Sequence, residues 1–268
     1  MMNGHVKVAP CLNGHHKEEV QQERLEENRP ALQTDALTLN TGNMLSCMPE
    51  MRALGGATEL LRMLEIAIFR TRTGKIPDAK IGEKKHQKLK LTARLYLSSE
   101  ATAQNVREAL EAILLQMDVT MVDTVLLSCK ASHTHFLQMW KELEQLHAEG
   151  KVTTLGLCEF MRADLESLLP KLQIKPRVNQ VSRTEPDLAS LLQFCKKHNI
   201  VVLSDPGPSS SAISSLPVES LLSKYFVIPP ESEWTCNWAV RYGATFKCRS
   251  IVARKGYIFR CEQKKTAA

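Results

Sequence analysis

Aromatic side chains are scarce, at 5% of 268 residues, so any core must rest on leucine, isoleucine, valine and methionine. Eight cysteines, at positions 11, 47, 129, 158, 195, 236, 248 and 261, include no C-x-x-C pair. That spacing argues against zinc and thioredoxin-like chemistry and suits a reducing compartment, the cytoplasm. No apolar h-region opens MMNGHVKVAPCLNGHHKEEV, and no run approaches ~18 uninterrupted apolar residues, so neither a leader nor a membrane span is expected. No G-x-G-x-x-G follows a strand-like run, which removes the main support for a Rossmann dinucleotide fold. Helix-turn-helix, zinc-finger and interleaved basic–aromatic patterns are missing too, which argues against nucleic acid.

What is present is ordinary globular composition, 43% apolar and 24% charged, enough for a core of good size. The net charge of +6 is unevenly placed. Eight basic residues between Arg241 and Lys265 face only Glu262, so the rest of the chain is close to neutral. Such an end suits an acidic protein face or a phosphate-bearing ligand. Residues 1–35 are polar and read as a mobile tail, with His15 and His16 a solvated pair; residues 36–268 read as a single domain.

Within that domain, Leu37 and Leu39 alternate with polar residues before Gly42, a short strand and turn. Leu60, Leu61, Leu64 and Ile68 place a helix over 58–70 with Thr58 as its cap, and 74–88 reads as a loop or weak helix. Regular alternation follows: strands at 91–97, 121–127, 152–157, 178–181 and 200–203, with helices at 101–117, 136–147, 163–169 and 186–198. Short links between such units imply parallel strands with crossover helices, hence a (β/α) barrel or an open doubly wound sheet. After Asp205, PGPSSSAISS is a loop, and its serines at 209–211 are candidate phosphorylation sites. Trp234, Trp238 and Tyr242, spaced i, i+4 and i+8, suggest a helix over 234–242 whose stripe is core or a partner face.

The segments WKELEQLHAEGKVTTLGL, IKPRVNQV and LLQFCKKHNIVVLSDPGP resemble the aldo-keto reductase superfamily in order and spacing. With LTLNTGNML and ARKGYI, the chain is similar to one branch of it, the regulatory (modifier) subunits of glutamate–cysteine ligase, from about Leu37 to Cys261. The resemblance implies a (β/α)8 TIM-type barrel with its site at the C-terminal strand ends. Reductases there use an Asp, Tyr, Lys and His tetrad with a nicotinamide cofactor. ARLYLSSE, which should end in the Lys, has Ser98 and Ser99; VDTVLLSCK has Ser128 where the His belongs. Residues 53–75, where the Asp and Tyr should lie, contain neither. A hydroxyl cannot supply the cation that acidifies a phenol, so ketone reduction by that route is not expected.

The cofactor seat differs as well. Cys158 and Glu159 replace the Ser-Asn carboxamide grip, and Ser204 replaces the stacking Tyr. Gln180 and Asn179 are retained, either as remnants of an NADPH site or to satisfy buried backbone at the strand end. No cofactor turnover is expected. The branch implies a non-catalytic partner that binds the ligase's catalytic subunit as a heterodimer, improving its use of glutamate and relieving inhibition by glutathione. The alternative is an NADP-binding oxidoreductase with an atypical site. The partner surface is assigned to 234–260, with Trp234, Trp238, Tyr242 and Tyr257 as anchors and Arg254 and Lys255 as charge. Members of the branch carry a longer cysteine-bearing segment after V-N-Q-V, whereas SRTEPDLASLL here runs straight into the helix, so an intersubunit disulfide there is not implied. His133 and His135 form an H-x-H that reads as polar loop; metal is not expected.

Overall fold

The computed structural model describes residues 28–45, 56–129, 132–182, 187–204, 207–230, 232–249 and 251–264. The expectations for His15, His16 and a helix start at 186 lie outside them. Strands are β1 (Ala36–Asn40), β2 (Leu89–Leu97), β3 (Val122–Cys129), β4 (Val152–Cys158), β5 (Val178–Val181), β6 (Val201–Ser204), β7 (Trp234–Phe246) and β8 (Val252–Gln263). Helices are α1 (Gly56–Thr73), α2 (Glu83–His86), α3 (Ala103–Met117), α4 (His133–Ala148), α5 (Arg162–Leu168), α6 (Leu188–Lys197) and α7 (Val218–Tyr225).

Among the described residues the strands form one sheet in the order β1-β8-β7-β2-β3-β4-β5-β6. From β2 to β6 every pairing is parallel, with α3, α4, α5 and α6 as crossovers. This is the β/α arc of a TIM-type frame. The remaining strands, β7, β8 and β1, pair antiparallel. The edge strand β6 leaves Val201 and Leu203 exposed.

Local chemistry explains the alternation. Helix α4 starts at Ser132, whose side chain accepts from His135 N–H, and presents Phe136, Met139, Trp140, Leu143 and Leu146 on one buried stripe. Gly150 ends the α4–β4 turn at φ 75°, a left-handed conformation that disfavours side chains. Asp118 closes α3 in the same region, at φ 57°. Thr58 falls inside α1 rather than at its cap, because the helix begins two residues earlier.

Two apolar layers result. Leu91, Ala93, Leu95 and Leu97 of β2 point toward α3 and α4, packing with Val106, Leu110, Trp140 and Leu143. On the opposite face α1 and α7 cover the antiparallel part, where Leu60, Leu64, Leu222 and Tyr225 meet Leu39, Tyr96 and Phe259.

The helix expected at 234–242 is strand β7. A spacing of four serves either structure, since residues four apart share one face of a strand as well as of a helix. The intervening Thr235, Asn237, Arg241 and Gly243 are only part-buried, an alternation that belongs to period two. A register shift between Cys236 and Trp238 marks a bulge. It sends Trp234 and Cys236 to one layer and Trp238, Val240 and Tyr242 to the other.

The LTLNTGNML and ARKGYI segments meet in space. Tyr257 N–H donates to Thr41 Oγ1 at 2.8 Å, and Tyr242 Oη donates to the Gly42 carbonyl at 2.8 Å. A methyl group on Gly256 would stand 2.3 Å from both the Gly42 oxygen and Tyr242 Oη. Glycine at 256 is therefore a packing requirement. Near the start of the described chain, the Leu32 N–H donates to the Val227 carbonyl at 2.9 Å, and Arg29 reaches the Ser223 carbonyl.

Candidate functional site at the strand ends

The parallel strands all deliver their C-terminal ends to one side of the sheet, where this architecture assembles its sites. Ser98 follows β2 half-buried, with its N–H donating to the Asn237 carbonyl at 3.0 Å, and Ser99 is exposed. Ser128 on β3 is fully buried, and its Oγ has no hydrogen-bond partner. It lies beside Tyr96, its register partner on β2.

Tyr96 is a phenol that motif matching does not find. Burial pushes its pKa up, with Arg94 and Arg241 opposing that shift in part. A phenol held protonated in this way is a poor proton donor near neutral pH. The Arg94 guanidinium stacks over the Tyr96 ring at 4.8 Å.

Cys158 ends β4 buried, and Glu159 follows at φ 67°. That conformation aims the Glu159 N–H at the Gln180 carbonyl, at 2.8 Å. Its carboxylate is held from two sides: it accepts from Ser209 Oγ at 3.0 Å and stands 3.6 Å from Arg94 Nη2. Arg94 Nη2 also donates to the Pro208 carbonyl at 2.9 Å. The Ser/Pro-rich segment is thus tied to the strand ends through its Pro208 carbonyl and Ser209 hydroxyl. Asn179 donates from Nδ2 to the Phe160 carbonyl at 2.7 Å, serving the turn after β4. The Asn179 Nδ2 is thus bonded to backbone and the Glu159 carboxylate to a serine, while Asn179 Oδ1 is buried without a hydrogen-bond partner.

The H-x-H pair diverges. The Lys171 ammonium donates to His133 Nε2 at 2.8 Å, while His135 Nε2 meets the Ala101 carbonyl at 2.5 Å. Among the described residues no group of three or more histidine, cysteine or carboxylate side chains could hold a metal ion. A cavity of about 500 Å³ opens between the ends of β3 and β4, lined by Cys129, His133, Phe136 and Glu159 among others. The Cys129 thiol there is pushed up to about 11 by burial, so it is not a ready nucleophile.

The anchors assigned from sequence are interior. Trp234, Trp238, Tyr242 and Tyr257 are each at most 5% exposed, so these rings are core and offer no docking surface. Burial in the two-layer sheet, which a one-dimensional pattern cannot display, is the reason. Arg254 and Lys255 are part-buried, Arg260 pairs with Glu262 at 2.8 Å, and Lys264 pairs with Glu233 at 2.8 Å. The basic end is thereby partly neutralised. No helix among the described residues is long and apolar enough to cross a membrane.

A parallel β/α arc with a strand-end site, and residues 67–204 matching the Aldo/keto reductase family model, together define the class: the chain belongs to the aldo-keto reductase family. Within it, the chain is 26% identical over 197 residues to the glutamate–cysteine ligase regulatory subunit of Rattus norvegicus, covering 69% of this chain and 70% of that one. It is 28% identical over 153 residues to an NADPH-dependent alpha-keto amide reductase of Saccharomyces cerevisiae, covering 51% and 48% respectively. An aldo-keto reductase structure from a deep-sea metagenome library matches with 27% identity over 42% of each chain and a TM-score of 0.39.

Proposed function

We propose that this chain is a non-catalytic regulatory subunit that binds the catalytic subunit of glutamate–cysteine ligase in the cytoplasm as a heterodimer. In that role it improves the partner's use of glutamate and relieves feedback inhibition by glutathione, without turning over a nicotinamide cofactor. The carrying observation is the similarity to the rat regulatory subunit over more than two thirds of both chains. The strand ends support it, since Ser98, Ser99 and Ser128 stand where the reductase cations belong, and Tyr96 is a buried phenol with its acidity suppressed. Regulation of this kind needs only a preference for one conformation of the partner; ~1–3 kcal/mol changes substrate affinity about 5- to 150-fold.

The test is co-expression with a ligase catalytic subunit, followed by co-purification and glutamate kinetics with and without this chain. Co-elution with a lowered KM for glutamate is the expected result. Separate elution and unchanged kinetics would refute it. The similarity to the yeast reductase supports a second reading, an NADP-binding oxidoreductase with an atypical site. Saturable NADPH binding with aldehyde turnover by the isolated chain would favour that reading instead.

A further inference from the structure

The end of the molecule opposite the strand-end site carries largely unpaired positive charge. Strands β2 to β6 run parallel, so their first residues share one side, and Phe246 of β7 reaches that side opposite Leu89. The β7–β8 turn runs on past the start of β2 and bonds back to the segment before it. Lys247 N–H donates to the Lys88 carbonyl at 3.1 Å, and the Lys247 ammonium donates to the Gln87 carbonyl at 3.3 Å. Helix α2, which leads into β2, is thereby brought beside the turn. Together these elements expose Lys84, Lys85, Lys88, Lys90, Lys247 and Arg249. Among the described residues, only Lys247 of the six meets a carboxylate, Asp123 at 4.0 Å. The carboxylates nearby are engaged elsewhere or stand apart. Asp123 accepts from Leu91 N–H and meets His86 Nε2, both at 2.8 Å, and Glu83 accepts from Thr120 N–H. Asp118, exposed at the end of α3, pairs with none of the six among the described residues.

The same end exposes apolar surface. Phe246, Ile251 and Val252 are 41%, 54% and 43% exposed, and they gather at the turn, where Phe246 N–H donates to the Ile251 carbonyl at 2.9 Å. Large apolar groups at the apex of a hairpin, ringed by cations, suit a partner that is anionic at its surface and apolar beneath. The kind of cation narrows the choice. Five of the six are lysines, which protein–protein interfaces disfavour and which act as hydrated point charges. The planar fork that grips a carboxylate with two bonds occurs once, at Arg249. Nucleic acid would reward the charges but not the aliphatic Ile251 and Val252. An anionic bilayer rewards both, with lysine heads at headgroup level on flexible stems and the apolar apex beneath them.

We propose that this end of the molecule, the β7–β8 turn with α2 and the start of β2, docks on an anionic lipid surface. This goes beyond the regulatory reading and does not rest on it, because the surface belongs to this chain alone. The full chain is sedimented with phosphatidylcholine vesicles, with and without about 30% phosphatidylserine. Saturable binding to the anionic vesicles alone is expected at ~0.1 M salt, lost toward ~0.5 M as the charges are screened. Lys84→Gln with Lys85→Gln should weaken it about 25-fold, at roughly fivefold for each lysine removed. Phe246→Ser, which removes apolar surface and no charge, should weaken it about tenfold. Lys141→Gln with Lys171→Gln makes the same change in net charge away from this end, on α4 and beside His133, and should bind as the parent does. All variants are checked for native circular dichroism. Four results overturn the proposal: no binding to anionic vesicles, equal binding to neutral ones, equal loss in the two double variants, or full binding by Phe246→Ser. Binding of poly-glutamate in place of vesicles also overturns it and makes the occupant an acidic polypeptide. Those outcomes leave the co-purification result with the ligase catalytic subunit unaffected, so the two readings fail separately.

Discussion

The junction of Gly42, Tyr242 and Gly256 lends itself to a quantitative test. Tyr242→Phe removes a buried hydroxyl that donates to the Gly42 carbonyl at 2.8 Å. A buried carbonyl that loses this donor costs about 1–2 kcal/mol. Gly256→Ala places a methyl carbon 2.3 Å from the Gly42 oxygen and 2.3 Å from Tyr242 Oη. Neither neighbour is the free end of a flexible chain, so the cost falls toward the upper part of the ~1–3 kcal/mol typical of overpacking. For a chain of this size each kcal/mol lowers Tm by roughly 2–4 °C. The substitutions share a contact, so they are not independent. Removing the hydroxyl relieves one of the three close approaches the alanine creates, leaving the Gly42 oxygen at 2.3 Å and Tyr242 Cζ at 2.5 Å, and the double variant should be less damaged than the sum by about 0.5–1.5 kcal/mol. Urea unfolding of the four proteins, followed by far-ultraviolet circular dichroism, measures that coupling. Additivity within ~0.3 kcal/mol would refute the reasoning, because it would mean the three groups do not meet as described.

Two further outcomes follow from the titratable groups. Burial alone would raise the Glu65 carboxyl, but hydrogen bonds from Arg62 and Lys224 outweigh it and its pKa is lowered on folding. The stability it contributes is present above the unfolded value of about 4.3 and is lost as pH falls through the folded value. Thermal melts of Glu65→Gln should lie below the parent at neutral pH and converge with it in acid; a constant gap from neutral pH to pH ~3 would contradict this. Iodoacetamide labelling at pH ~8 should modify exposed Cys248 quickly and Cys129, raised to about 11 by burial, only after denaturation. Peptide mapping that finds Cys129 labelled natively at the rate of Cys248 would oppose it.

The alternation from β2 to β6 was legible in the sequence because its signals are local. Periods of two and about 3.6 each act within one or two turns, whereas the Ser132 cap, which starts α4 at His133 rather than at 136, was missed. β7 was not legible, because aromatic residues four apart satisfy both periods, and only the polar residues between them speak for a strand. At the strand ends the residue types Ser98, Ser128 and Cys158 could be read from the sequence, but the contacts around them could not: Ser209 to Glu159, and Arg94 to the Pro208 carbonyl, join segments far apart in the chain. One signal was available, the lone charged residue, an arginine, within LTARLYL. A charge at an inward position of a buried strand asks for partners, and its register mate proves to be another arginine.

The bulge in β7 has a spectroscopic corollary. Because it turns Trp234 into the layer beneath α1 and α7 while Trp238 joins Trp140 in the layer beneath α3 and α4, indole emission samples both sides of the sheet. Replacing Trp140 and Trp238 by phenylalanine leaves a lone fluorophore on one side, and replacing Trp234 silences that side alone. Whether the two layers melt together or in sequence can then be followed optically in a single chain with no added label.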